Sequence, residues 1–339
     1  MKNKMIGVDL GSSDILIYVP NKGIIFNEPN IVAYNQIEKK VVSVGYLALK
    51  MLGKEQNGVK VTRPIANGVV TSISKQTLLI KHVLKEKKKK GLFKNAKVVV
   101  SCPSELSEVN ILAIKKIFNN LGARGVELVS QSYLALLGCG NIETTSRGNM
   151  VITLGGGYSD ILIASGNKVL ISKSSSFSGR QIDLAITRHL RKKHQLIIGD
   201  KTSEYIKMKI GSLEQFPENR LIEVSGRDIV TALPKSVIIS TMEIKQAISS
   251  TPVTLLESIT DCLELTNPEV AADIIESGII ICGGSSLLGG IRDYLESHLN
   301  ITVRLASDPA YTVVNGIKNY IHLMSNSTNV KSRCSDSPL

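Results

Sequence analysis

The sequence predicts an α/β protein of two similar halves, each a mixed sheet flanked by helices. Three observations carry that expectation. The chain writes one pattern twice, GVDLGSSDILIY at 7–18 and VITLGGGYSDILIA at 151–164. Each copy is an apolar run, a Leu-Gly turn of small residues, then Asp-Ile-Leu-Ile, the pattern of a β-hairpin with a tight loop. Apolar strands alternate with segments of helical spacing after the first copy, as in a parallel sheet. Near the end a third glycine-rich turn, GGSSLLGG at 283–290, lies between an apolar strand and a helix. At 339 residues the chain has room for two domains with a core each.

In chain order, residues 6–19 form the first hairpin, and 23–34 read as two short strands split at Pro29. A smaller mixed segment runs to about 61, and Arg63-Pro64 marks the return to the main body. Helical spacing covers 71–90 and runs into a lysine cluster. Residues 97–102 are a continuous apolar strand closing on Pro103, 106–121 a helix, 126–129 a buried strand and 132–140 the start of another helix. After the second hairpin come a serine-rich stretch at 172–179 and a basic helix at 182–193. A polar segment follows to about 240, then one long helix at 242–265, a strand at 276–282 and a helix at 291–299. The polar tail from Ser325 is expected to be disordered.

Composition sets the class. Hydrophobic residues at 43% and charged residues at 21% are those of a globular protein, and 4% aromatics with no Trp demand an aliphatic core. A formal charge of +12 implies an affinity for something anionic. The five scattered cysteines form no CxxC pair, which fits reduced thiols better than disulfides or zinc. The start runs straight into a strand, which leaves no room for a signal peptide, and no apolar run is long enough to span a bilayer. A cytoplasmic protein, or one peripheral at the inner face of the membrane, is the expectation.

Glycine and serine turns let backbone N–H groups come close to an anion, and a helix N-terminus adds to the attraction. Each turn alone is weak, since strand–Gly-Gly–helix also arises from close packing. Two echoing hairpins and a third such turn together point to a polyphosphate held by both halves.

The same residues resemble a family. With GIIFNEP (23–29), RPIANGV (63–69), GNMV (148–151), IGDKTSEYIK (198–207), GRDIVTALP (226–234) and AADIIESGIIICGG (271–284), the chain is similar to the MreB bacterial actins of the actin/Hsp70/sugar-kinase superfamily. The resemblance covers 6 to about 319 and implies an actin-like fold, ATP or ADP with Mg2+ in a cleft between the halves, and polymerisation. It implies a first core of 1–34, 62–145 and 305–324 with an insert at 35–61. The second core is 146–179 and 240–304, with an insert at 180–239, and 325–339 is the tail. Carried over, Asp9, Gly11, Ser12, Ser13 and Asp14 form the first phosphate loop, and Gly155, Gly156, Gly157 and Tyr158 the second. Glu204, Lys207, Gly283, Gly284, Ser285 and Ser286 approach the adenosine, and Asp9 holds the metal through water. The implied partners are further copies of the chain, sister MreB proteins and an anionic membrane surface.

The departures from the family pattern cluster at the phosphates. Thr153 stands where the second loop normally begins with Asp, and Gln131 where the family has its catalytic Glu. Tyr158 replaces a Thr, Asp14 an Asn, Ser285 a glycine and Arg180 an Asp. Gln131 can orient a water but cannot take its proton near neutral pH. The expectation is nucleotide binding with weak or lost ATP hydrolysis; retained turnover and a nucleotide-independent scaffold are the alternatives. A small-molecule kinase of the same fold would need a free carboxylate for the substrate hydroxyl, and no motif here suits it.

Lys87, Lys88, Lys89, Lys90 and Lys94 surround Leu92 and Phe93. A solvated helix end is the ordinary meaning of a charge run. An apolar pair inside it is also what a membrane-insertion loop needs, and the family carries a hydrophobic membrane loop at this place. No aromatic stacking platform accompanies the lysines, so nucleic acid is not expected.

Overall fold

A computed structural model describes residues 4–140, 147–166, 168–214 and 219–334. The chain divides into two units, one of residues 1–145 and 310–339 and one of 146–309. The first contains β1 (Met5–Leu10), β2 (Asp14–Val19), β3 (Gly23–Pro29), β4 (Val32–Asn35), β5 (Lys40–Val44), α1 (Gly45–Met51), β6 (Val59–Thr62), the short hairpin β7 (Ile65–Ala66) and β8 (Val69–Val70), α2 (Ile73–Glu86), β9 (Lys97–Cys102), α3 (Glu108–Asn119), β10 (Gly125–Ser130) and α4 (Gln131–Gly138). The second contains β11 (Gly148–Leu154), β12 (Ser159–Ser165), β13 (Lys168–Ser175), α5 (Gly179–His194), β14 (Leu196–Ile197), α6 (Asp200–Ile210), β15 (Leu221–Asp228), β16 (Pro234–Ser240), α7 (Thr241–Ile248), α8 (Val253–Glu264), α9 (Pro268–Ser277), β17 (Ile279–Cys282), α10 (Ile291–Leu299) and β18 (Val303–Leu305). The chain then returns to the first unit as α11 (Thr312–Cys334), which lies against α4 and β1.

The duplication extends from the hairpins to the whole sheets. Among the described residues, the first unit's main sheet has the order β3-β2-β1-β9-β10, and the second's has β13-β12-β11-β17-β18. In each, an antiparallel three-strand meander is joined by two parallel strands. Strand alternation sends every second residue into a core. Ile6, Val8 and Leu10 meet Ile15, Ile17, Val98 and Val100 in one. Met150, Ile152 and Leu154 meet Ile161, Ile163, Ile279 and Ile281 in the other. Asp9 and Thr153, one residue out of phase with those sets, belong to the opposite faces. Smaller sheets are β5-β4-β6 in the first unit and β14-β15-β16 in the second; β4 begins at Val32, before the insert expected at 35–61.

Helix starts follow the local chemistry of capping. Ser72, Ser107, Ser130, Ser178 and Ser240 each accept a backbone N–H from the first turn of α2, α3, α4, α5 and α7. Asn267 does the same for α9, with Pro268 in its first turn.

Three of the expected bounds change. The helix expected at 242–265 is two, α7 and α8, because Pro252 lacks an N–H and cannot continue the first. The second unit keeps β18, so the return to the first falls at Ala310 rather than at 305. The backbone stays helical past Ser325 to Cys334, where disorder was expected; 335–339 lie outside the described residues.

The largest correction concerns Leu92 and Phe93. Phe93 is fully buried and packs edge-on against Phe118, with ring centroids 5.5 Å apart. Leu92 is half-buried against the same core. Positive φ at Lys88 and Gly91 folds the chain back under α2 and α3 and turns the apolar pair inward. Full burial of a Phe side chain is worth roughly 1.5–3 kcal/mol over exposure, and in an aromatic-poor chain the core takes it. Phe93 is therefore a core residue and not a membrane-inserting one, while Lys87, Lys88, Lys89, Lys90 and Lys94 are exposed around it. No described helix is long and apolar enough to cross a membrane.

Candidate nucleotide site

In both units the candidate residues gather at the carboxyl ends of parallel strands, where open α/β sheets present ligand sites. In the first, β1, β9 and β10 run parallel and side by side. Asp9 lies near the end of β1, Ser101 near the end of β9, and Gln131 opens α4 directly after β10. Ser101 Oγ donates to Asp9 Oδ1 at 2.5 Å and accepts the Leu10 N–H at 3.0 Å. Desolvation pushes the Asp9 carboxyl up to about 6, with the Ser101 bond opposing and the charge of Asp14 adding to the rise.

Leu10 pairs with Ile15, so residues 11–14 are the turn. A Cβ on Gly11 would stand 2.7 Å from the Asp14 carbonyl oxygen, which is why the turn needs glycine. Asn30 holds this loop from behind: its Nδ2 donates to the Gly11 carbonyl at 2.8 Å and its backbone N–H to the Ser13 carbonyl at 2.7 Å. Ser12 Oγ accepts the Gly68 N–H at 2.8 Å, and Asp14 is exposed.

The second unit repeats the turn at 155–158, with Leu154 paired to Ser159. A Cβ on Gly155 would stand 2.5 Å from the Tyr158 carbonyl oxygen. The two copies thus align turn to turn, and the Asp-Ile-Leu-Ile echo is displaced by two residues. Asp14 sits at the first turn, whereas Asp160 lies along β12 opposite Thr153, fully buried and accepting from Ser174 Oγ at 2.6 Å. Thr153 itself is buried, and its hydroxyl donates to the Asp160 carbonyl at 3.3 Å. Where β1 and β9 pair Asp9 with Ser101, β11 and β17 pair Thr153 with Cys282, and the carboxylate is gone.

Around this second turn three chain segments converge. The Gly155 carbonyl accepts the Gly179 N–H at 3.1 Å and Ser285 Oγ at 2.8 Å, and the Gly156 carbonyl accepts the Arg180 N–H at 3.0 Å. The start of α5 therefore abuts the loop, and its first two N–H groups hold the loop through the Gly155 and Gly156 carbonyls. From α6, Lys207 Nζ donates to the Gly179 carbonyl at 3.2 Å and pairs with Asp183 Oδ1 at 2.9 Å. Burial raises the Asp183 carboxyl above its ordinary value against the pull of Lys207. Glu204, one turn before Lys207, is exposed. Gly283 donates its N–H to the Pro309 carbonyl at 2.8 Å, and Ser286 Oγ donates to the Gly283 carbonyl at 2.7 Å. Nothing stands within 4 Å of where a Gly284 Cβ would lie, so the turn faces open space there.

Gly155, Gly156, Lys207, Gly283 and Ser285 are thus brought together within the second unit, and Asp9, Gly11, Ser12 and Ser13 within the first. Gly157 is buried and Tyr158 half-buried at the end of their turn, and Gln131 is half-buried at the head of α4. Sequence reasoning missed Asn30, Ser101, Gly179 and Asp183. Gly179 carried a signal, a Ser-Gly pair opening a helix; Ser101 carried none.

Two meanders each continued by parallel strands, with a glycine turn at each first hairpin, define an actin-like fold. The chain belongs to the MreB/Mbl family, whose model, described as MreB/Mbl protein, matches residues 3–329. It is 34% identical over 313 residues to the cell shape-determining protein Mbl of Bacillus subtilis, covering 92% of this chain and 93% of that one. It is 32% identical over 316 residues to the cell shape-determining protein MreB of Escherichia coli K12, covering 92% and 91%. Among solved structures, MreB5 of Spiroplasma citri bound to AMPPNP superimposes with a TM-score of 0.91 at 32% identity, covering 98% of this chain and 99% of that one. The MamK double helical filament, at 19% identity and a TM-score of 0.77, shares the fold.

Proposed function

We propose that this chain binds ATP and ADP with Mg2+, hydrolyses ATP weakly, and polymerises into membrane-associated filaments that govern cell shape. The observation that carries the reading is the Gly155 carbonyl, which draws the turns at 155–158 and 283–286 and the start of α5 to one point beside Lys207. Support comes from the S. citri MreB5 structures bound to AMPPNP and to ADP, and from relatives named for cell-shape determination.

Mg2+ fits the first unit. Asp9 is a desolvated carboxylate with a second one, Asp14, close enough to raise its pKa. That is a concentration of negative charge a divalent cation offsets, with Asp9 holding it through water. When bound, the metal neutralises phosphate charge. The protein's own groups serve the nucleotide unit by unit: the turn at 11–14 in the first and the turn at 155–158 in the second offer N–H groups to phosphate, and Glu204, Lys207 and residues 283–286 serve the adenosine, while the Gly179 and Arg180 N–H groups at the start of α5 hold the second turn in place. Gln131 orients a water by hydrogen bonding but accepts no proton, and Thr153 adds no carboxylate. Loss of a positioned general base costs on the order of 10²–10⁴ in rate. Phosphate release from the purified chain tests this. The expected result is slow release that Gln131→Glu speeds at least tenfold; a wild-type rate equal to that of the glutamate variant overturns it.

Membrane association, on this reading, is electrostatic. Lys87, Lys88, Lys89, Lys90 and Lys94 are exposed, and each lysine near an anionic leaflet contributes about 1 kcal/mol. The apolar contribution expected from Phe93 is withdrawn because that ring is in the core. Self-association gives the filament, and co-assembly with sister MreB proteins belongs to the same proposal.

A further inference from the structure

We propose that Ser285 is a positioning residue: its hydroxyl ties the adenosine turn to the phosphate turn in the second unit and sets how long a nucleotide stays bound. The inference rests on the nucleotide reading above and goes beyond it by separating retention from contact. Ser285 Oγ donates to the Gly155 carbonyl at 2.8 Å, across 130 residues of sequence. The same carbonyl receives the Gly179 N–H at 3.1 Å, so one oxygen fastens two other segments.

The junction has no slack. A Cβ added to Gly179 would lie 2.8 Å from Ser285 Oγ, 3.3 Å from Lys207 Nζ and 3.7 Å from Gly156 Cα. The adenosine turn is anchored at its other end by the Gly283 N–H on the Pro309 carbonyl, and internally by Ser286 on Gly283. Ser285 Oγ is a side-chain tie between this turn and the 155–158 turn. A glycine at 285 would leave the Gly155 carbonyl with its backbone donor and free the turn to move away.

A tie between protein and protein acts on whatever nucleotide is held. Losing one such hydrogen bond should therefore speed release of ATP and ADP alike, by about three- to tenfold, without changing the preference between them. The association rate, set by encounter, should move less than about twofold.

Stopped-flow release of fluorescent ATP and ADP analogues, chased with excess unlabelled ATP, tests this on the full chain. Ser285→Ala keeps the Cβ and removes the hydroxyl; Ser285→Gly removes both; Ser285→Thr keeps the hydroxyl. The expected result is faster release of both analogues from the alanine and glycine variants, and release near the wild-type rate from the threonine variant. An alanine variant that releases both analogues at the wild-type rate, with or without a lowered melting temperature, overturns the tie and leaves the nucleotide reading standing. A wild-type chain that captures neither analogue overturns the nucleotide reading and the tie with it.

Discussion

Asp9 and Phe93 mark what single residues contribute. The Asp9 carboxyl is pushed up to about 6, mainly by desolvation. A folded-state pKa above the ordinary value means that the folded chain favours neutral Asp9. Its stability contribution is fully present below the ordinary carboxyl pKa and is lost as pH rises through about 6. Asp9→Asn should therefore raise the melting temperature of the metal-free protein above pH 6, by on the order of 2 kcal/mol in stability, with the gain vanishing near pH 4. Thermal unfolding across that range is the check, and a gain that does not depend on pH contradicts it. Protonation removes the Asp9 charge that holds the metal through water, so Mg2+ affinity should fall as pH drops from 7 to 5. Asp9 was legible as a candidate through the resemblance to the family and not through the repeated hairpin, whose second copy has Thr153 at the matching position. The Asp9 partner Ser101 was not legible, because parallel pairing of β1 with β9 joins residues 92 apart and leaves no local pattern.

Elements were most legible where period and punctuation agreed. The strand at 97–102 and the helix at 291–299 have the expected bounds, each closed by a turn residue or a cap. The stretch at 242–265 kept helical spacing across Pro252, and spacing alone hid the break between α7 and α8. The lysine-rich turn misled for a physical reason: charge around Leu92 and Phe93 describes the solvent side of the turn, whereas Gly91 and the left-handed Lys88 decide where the rings go. Two substitutions separate the roles. Phe93→Ala should cost about 3–5 kcal/mol, read by chemical denaturation, because it opens a cavity against Phe118. Reversing Lys87, Lys88, Lys89 and Lys90 to Glu should change stability little and abolish pelleting with vesicles rich in anionic lipid, an association that salt also weakens. Unchanged pelleting after charge reversal would contradict an electrostatic attachment.

For the whole molecule, the repeated hairpin proves to be the visible part of a larger duplication. Each unit builds the same five-strand order and bends its first hairpin through a glycine turn of the same geometry. The halves differ at one matching position: the first keeps Asp9 on Ser101, and the second has Thr153 beside Cys282. Retained turns with a missing carboxylate are the basis of the proposal that the chain holds nucleotide for assembly and hydrolyses it slowly. Electron microscopy of the purified chain with ATP, with ADP and without nucleotide tests that account most directly. Filaments that form with ATP and fail to form without nucleotide are the predicted result. Filaments of equal number and length in all three conditions, or none with ATP, would contradict it.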